Sequence, residues 1–233
     1  MRIDQLAAIQ APGIELWLVD LLAEAREREA PAPGDWLDAA ERERAARFHF
    51  ERDAHRHRAS HTALRHLLAG RTGVPAPALR FSAGPYDKPR LDLPQAPAFN
   101  MSHSGRWALI GIGGAAPIGV DIEVPREMDN LMALAERNFT ATECRELLAV
   151  PEAGRLRAFL RCWTRKEAVL KAVGSGLSIE PGLFEAGTTP ERRTTTLPVS
   201  GQACEVSVLS LDVDREALAA VAWVEPGSRH LAF

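Results

Sequence analysis

The stretch RWALIGIG, Arg106 to Gly113, is echoed half a chain later by EALAAVAW, Glu216 to Trp223. Each is a short apolar run of the length and composition that forms a buried strand. The helical sequence upstream repeats as well. One stretch ends in Leu64-Arg65 with Gly70 and Gly73 beyond it, the other in Leu170-Lys171 with Gly174 and Gly176 beyond it. Glycine past the last helical residue supplies the left-handed stop. Identity between the two segments is slight, so the repeat lies in the order of elements. It predicts an α+β fold, a pseudo-dimer of two similar α/β halves covering 1–116 and 117–233. The halves meet near Pro117, with a functional cleft between them.

Outward from that repeat, IELWLVD (Ile14 to Asp20) reads as a first strand. EAREREAPAPGDWL follows as a charged, then Pro/Gly-broken connection. From Asp38 to Gly70 the apolar spacing predicts two helices bent near Glu51–Asp53. LRFSAGPYDKPRL reads as strand, loop, strand, and FNMSHSGRWALIGIGG as loop then strand. IGVDIEV is another strand. Helical signals resume at Asp129 and again from Glu152 to Ala172. Turn-rich sequence from Gly174 to Gly201 precedes two late strands, ACEVSVLSL and EALAAVAWV.

Among 233 residues, 46% are hydrophobic, which excludes disorder and supplies a sizeable core. A net charge of -3 gives no argument for nucleic acid as a partner. Three cysteines, odd in number and without metal-type spacing, fit a reducing compartment. The N-terminus lacks an apolar signal core, and no run approaches a membrane span. The expectation is a cytoplasmic protein with no membrane partner.

Chemistry concentrates in four places. In PIGVDIEVP (Pro117 to Pro125), Asp121 and Glu123 are two apart in a strand and share a face, while Val120 and Ile122 face the other way into a core. Paired carboxylates repel and are costly to bury unpaired. An oxygen-only ligand set suits Mg2+, although a solvated edge strand also explains the triplet. In WTRKEAVLKAVGSGL, Glu167 and Lys171 share one helix face, as an exposed ion pair or as a carboxylate and ammonium beside a metal. NMSHSGRW (Asn100 to Trp107) offers hydroxyl, imidazole and backbone N–H groups to an anion, or holds His103 as a simple turn residue. The arginines from Arg42 to Arg65, joined by Lys88, form either a solvated helix face or a wall for a polyphosphate. His57 and His61 have metal-ligand spacing but no evident acid or cysteine partner nearby. GIGGAA fits a dinucleotide fingerprint but precedes a strand where that fingerprint needs a helix. TATE, Thr140 to Glu143, is a capping box that explains Glu143 without catalysis.

Taken in order, RFHFERDAHR, YDKP, FNMSHSGRW, PIGVDIE, NFTATE and WTRKEAVLKAVGSGL resemble the phosphopantetheinyl transferases that activate the carrier proteins of nonribosomal peptide and polyketide synthases. The resemblance implies coenzyme A bound between two α+β halves. It implies Mg2+-dependent transfer of the phosphopantetheine arm to a carrier-protein serine, with release of 3',5'-ADP, by a monomer serving secondary-metabolite and antibiotic biosynthesis. By motif position, Asp121, Glu123 and Glu167 hold magnesium on the coenzyme A pyrophosphate. Glu167 is the candidate base, directly or through water, and Lys171 stabilises or protonates the departing phosphate. Ser102 and His103 contact the phosphates of the nucleotide half, Lys88 sits by the adenine nucleotide, and Arg44 and Arg47 clamp the 3'-phosphate. Glu143 matches an acid that some members place near the metal. The segment Leu131 to Leu148 is the candidate surface for the carrier, unless its apolar residues are core. The rival reading is a Mg2+-dependent nucleotide-diphosphate hydrolase acting on coenzyme A-like substrates, which needs no acceptor.

Overall fold

Most buried apolar side chains lie in a stack of four layers, with a smaller cluster around Phe139 and Phe159 beside it, and the alternation of each strand decides which layer it feeds. In the computed structural model, which describes residues 1–6, 13–22, 36–84, 88–174, 179–213 and 216–228, the first half carries an antiparallel sheet. Its strands are β1 (Arg2–Gln5), β2 (Glu15–Asp20), β5 (Phe99–Ser104) and β6 (Trp107–Ile112), in the order β1-β2-β6-β5. The second half carries β7 (Ile118–Glu123), β8 (Arg193–Val199), β9 (Gln202–Leu211) and β10 (Leu218–Val224), in the order β7-β10-β9-β8. A separate ribbon pairs β3 (Phe81–Ala83) with β4 (Pro89–Leu91). The helices are α1 (Ala39–Ala46), α2 (Glu51–Thr72), α3 (Leu131–Asn138), α4 (Ala141–Ala149) and α5 (Glu152–Val173).

One face of the first sheet, with Val19, Ala108, Ile110 and Ile112, packs on Ala59, Ala63, Leu64 and Leu68 of α2. The matching face of the second sheet, with Val206, Val208, Ala220 and Ala222, packs on Ala168, Val169, Ala172 and Val173 of α5. The two remaining faces meet: Leu16, Leu18, Trp107 and Leu109 join Ile118, Val120, Ile122, Val221 and Trp223. The resulting order is helix, sheet, sheet, helix, with strand alternation feeding two cores at once.

The duplication is visible in topology. In each half the strand before the long helix pairs with the last strand, which pairs with the penultimate one: β2-β6-β5 with α2, and β7-β10-β9 with α5. Both helices end on a glycine in the left-handed region, Gly73 at φ 74° and Gly174 at φ 65°. Their N–H groups donate to Ala69 O and Leu170 O. The inner apolar layer crosses between the halves, so they share a core.

Three sequence expectations are corrected. FNMSHS forms β5, not a loop, because its polar residues alternate toward β7 instead of facing water. The turn-rich segment contains β8, an edge strand where Pro198 costs no ladder bond to a further neighbour. The strand β1 pairs with β2 at the sheet edge, ahead of the segment that reads as the first strand. Tyr86 and Asp87 of YDKP, Ser175 to Leu177 of the last motif, and most of the EAREREAPAPGDWL connection lie outside the described residues.

Candidate active site

The free edge of β7 lies against β5, and side chains lace the two together. Asn100, Ser102 and Ser104 sit at every second position of β5 and so point the same way. Asn100 Oδ1 accepts from Val120 N–H at 2.8 Å, Ser102 Oγ donates to Asp121 Oδ1 at 2.7 Å, and Ser104 Oγ donates to Glu123 Oε2 at 2.8 Å. From the other side α5 lies directly on β7 at Gly119, where a Cβ would stand 2.1 Å from Ala168 O. Only glycine permits that approach, and it brings Lys171 down onto Asp121.

Lys171 Nζ donates to Asp121 Oδ1 at 2.6 Å and to Ser102 Oγ at 3.2 Å. Asp121 is buried, and its Oδ2 has no hydrogen-bond partner. Burial drives the Asp121 pKa up in spite of Lys171 and Ser102. Glu123 is likewise raised, by burial and then by the charge of Asp121, against the Ser104 hydrogen bond. Burial also raises Glu167, and the charges of Asp121 and Glu123 add to it against Lys171. Three carboxylates from β7 and α5 therefore feel one another, with one ammonium beside them. The site is short of positive charge, and a buried carboxylate oxygen without a donor is an unusual and costly feature. Among the described residues no three acids, histidines or cysteines already stand around one point at ligating distance. Asp121 Oδ1 is instead engaged by Lys171 and Ser102. The oxygen-only donors and the orphaned Oδ2 fit a hard divalent cation.

Across β5, His103 faces α2. It is exposed, and its pKa is lowered by partial desolvation and by the positive charges of His61, Lys171 and Arg56. His57 and His61 lie with ring centroids 4.1 Å apart. Glu41, distant in sequence, stands 2.9 Å from His61 Nδ1, so the pair does have an acid neighbour. His57 is buried with Nε2 unpartnered, and burial, followed by the charges of His61 and Arg44, lowers its pKa to about 4. A ring of imidazoles and arginines thus lines the first-half wall.

The basic stretch divides. Arg65 is fully buried, pairing with Asp38 and Glu41 at 2.7 Å each and donating to Ala76 O and Leu79 O, so it is part of the interior and no phosphate wall. Arg47 pairs with Glu43 at 2.6 Å and is exposed. Arg44 and Arg47 line a shallow depression of about 570 Å³ with Phe48. Lys88 reaches across the seam to three main-chain carbonyls, and burial lowers its pKa to about 8. Beside it lies a cavity of about 410 Å³ between the halves, lined by Arg90, Phe99, Pro117 and Gly174. Glu143 is buried away from solvent. It closes the capping box with Thr140, pairs with Lys166 at 2.8 Å, and accepts from Ala186 and Gly187 N–H. Sequence reasoning did not single out Asn100, Ser104 or Glu41 for these contacts. The every-second-residue spacing of Asn100, Ser102 and Ser104 was the signal for the first two.

Residues 117–222 match the family model described as 4'-phosphopantetheinyl transferase superfamily, and residues 27–113 match 4'-phosphopantetheinyl transferase, N-terminal. The chain is 31% identical over 179 residues to the 4'-phosphopantetheinyl transferase Sfp of Bacillus subtilis, covering 76% of this chain and 78% of that one. It is 34% identical to psf-1 of Bacillus pumilus, over 72% of this chain and 71% of that protein. With HetI of Nostoc the identity is 33% over 90% of this chain and 86% of the relative. The chain belongs to the 4'-phosphopantetheinyl transferase family. In this family member the two matched regions meet where β5 faces β7, so the acid cluster lies on the seam between them. Among the described residues no helix is long and apolar enough to cross a membrane.

Proposed function

We propose that this transferase moves the 4'-phosphopantetheine arm of coenzyme A onto the serine hydroxyl of an acyl or peptidyl carrier protein. The observation that carries the reading is the convergence of Asp121, Glu123, Glu167, Lys171 and Ser102 on one seam, with a buried carboxylate oxygen lacking a partner. The new bond joins the carrier serine Oγ to the phosphorus bearing the pantetheine arm. The bond from that phosphorus to the bridging oxygen breaks, and 3',5'-ADP leaves with the electron pair. Held by Asp121, Glu123 and Glu167, Mg2+ would neutralise charge on the diphosphate oxygens.

The chain's own groups do the rest. Glu167 takes the serine proton, directly or through a water. Lys171, one helical turn further on, shares the cleft with it and meets the charge that grows on the departing phosphate. Ser102 orients both Asp121 and Lys171 by donating to one and accepting from the other. Arg44 and Arg47 give the first-half wall a positive charge that suits the phosphates of the nucleotide half, and His103, whose lowered pKa leaves it uncharged near neutral pH, adds an imidazole N–H beside them. Incubation with Mg2+, a fluorescent coenzyme A and a panel of apo carriers tests the reading. Label on a carrier, dependent on the metal and lost in Glu167→Gln, is the expected result. Consumption of coenzyme A without any acceptor would replace the transferase reading with a hydrolase.

A further inference from the structure

Lys88 immediately precedes β4, in the first half, yet its ammonium ends in the second. Nζ donates to Lys171 O at 2.6 Å, Ile118 O at 3.0 Å and Ala172 O at 3.2 Å. Two of these acceptors lie in the last turn of α5, where carbonyls have no intrahelical donor and the helix dipole presents its negative end. Gly174 N–H already satisfies Leu170 O, and Lys88 takes the next two carbonyls in line. The third acceptor opens β7. Its stem is packed too, since a Cβ at Gly174 would stand 3.3 Å from Lys88 Cδ.

We propose that Lys88 is a positioning residue, a cation that pins the C-terminal turn of α5 to the start of β7 and thereby holds Lys171 on Asp121. Lys171 lies within that last turn, and the Lys171–Asp121 contact is its link to β7. Without Lys88, two helix-end carbonyls and Ile118 O lose a charged donor, the turn frays, and the ammonium leaves its place. With all three carbonyls engaged, Lys88 serves the protein's own backbone instead of the adenine nucleotide. The catalytic consequence rests on the transferase reading; the clamp itself rests on the contacts alone.

The test compares Lys88→Met and Lys88→Arg in the full chain. Hydrogen exchange is followed at peptides covering the end of α5 and the start of β7, with α2 as the internal reference. Coenzyme A affinity is measured by calorimetry, and kcat and KM with an apo carrier. Lys88→Met should raise exchange at both peptides at least about tenfold while α2 is unchanged. It should lower kcat about ten- to a hundredfold and shift coenzyme A affinity less than about threefold. Lys88→Arg, which keeps a charged donor, should recover most of kcat and protection. Unchanged exchange overturns the clamp whatever the kinetics. So does a large loss of coenzyme A affinity with kcat intact, which marks a ligand contact. If Lys88→Met does not fold, Lys88→Gln, which is one atom shorter and uncharged, is read in the same way. Should the wild type transfer nothing, the function reading fails while exchange still decides the clamp.

Discussion

Replacing Glu143 with alanine should unfold the protein early while leaving the chemistry of the folded fraction intact. The carboxylate is fully buried and accepts from Thr140 N–H, Lys166 Nζ, Ala186 N–H and Gly187 N–H, with the Cys162 thiol beside them. Burial opposes its ionisation, but Lys166 and the backbone donors outweigh burial and hold its pKa below the ordinary glutamate value. Alanine removes all of these acceptor contacts. Lys166 keeps Pro181 O and Phe184 O, yet its charge is left inside the protein without an anion. Breaking a buried pair in this way costs about 3–5 kcal/mol. For a chain of this size each kcal/mol moves the melting temperature by about 2–4 °C, so a fall of about 6–20 °C follows. Glu143→Gln keeps an acceptor and should fall less. Calorimetric melting paired with initial rates well below the transition reads both effects. A melting temperature lowered by less than about 2 °C, with activity abolished, would refute the structural role and place Glu143 in the reaction.

Gly119→Ala forces a Cβ to within 2.1 Å of Ala168 O and 2.4 Å of Ala172 N, both backbone. It should cost at least the about 1–3 kcal/mol typical of overpacking and lower kcat by lifting α5 off β7, as read by melting and kinetics. Asp121→Asn should lower kcat/KM by about a thousandfold, yet leave the metal-free melting temperature unchanged or raised, because burial already disfavours this carboxylate. A lowered melting temperature with activity retained would contradict that assignment. His57 has a pKa of about 4 in the fold against 6.5 as its ordinary value. The folded protein thus binds fewer protons between those values, and stability falls as pH drops from 6.5 toward 4, by up to about 3 kcal/mol. Chemical denaturation across that window should show a flatter acid limb for His57→Leu than for the wild type.

What the sequence displayed was local order. The strand with two acids on one face, the long helix with Glu167 and Lys171 one turn apart, and the repeated glycine stops are all matters of spacing, and they emerge as β7, α5 and the paired α/β halves. The capping box of Thr140 and Glu143 is equally local, whereas Lys166, Ala186 and Gly187 converge on the same carboxylate only through the fold. β5 escaped reading because polar residues in a strand suggest exposure, and here they bridge two sheet edges. Arg65 looked like its exposed neighbours, yet it lies inside, held by Asp38, which caps α1, and by Glu41 within it. Lys88 carries no sequence signal for its partners, which are main-chain oxygens 30, 83 and 84 residues away, contacts that no periodicity encodes.

Crystals grown with coenzyme A and Mn2+ in place of Mg2+, measured at the manganese absorption edge, test the acid cluster itself. One anomalous peak bounded by oxygens of Asp121, Glu123 and Glu167, with the diphosphate against it, is the expected result. A peak elsewhere, or Asp121 still bound only to Lys171 and Ser102 with coenzyme A in place, would contradict the account.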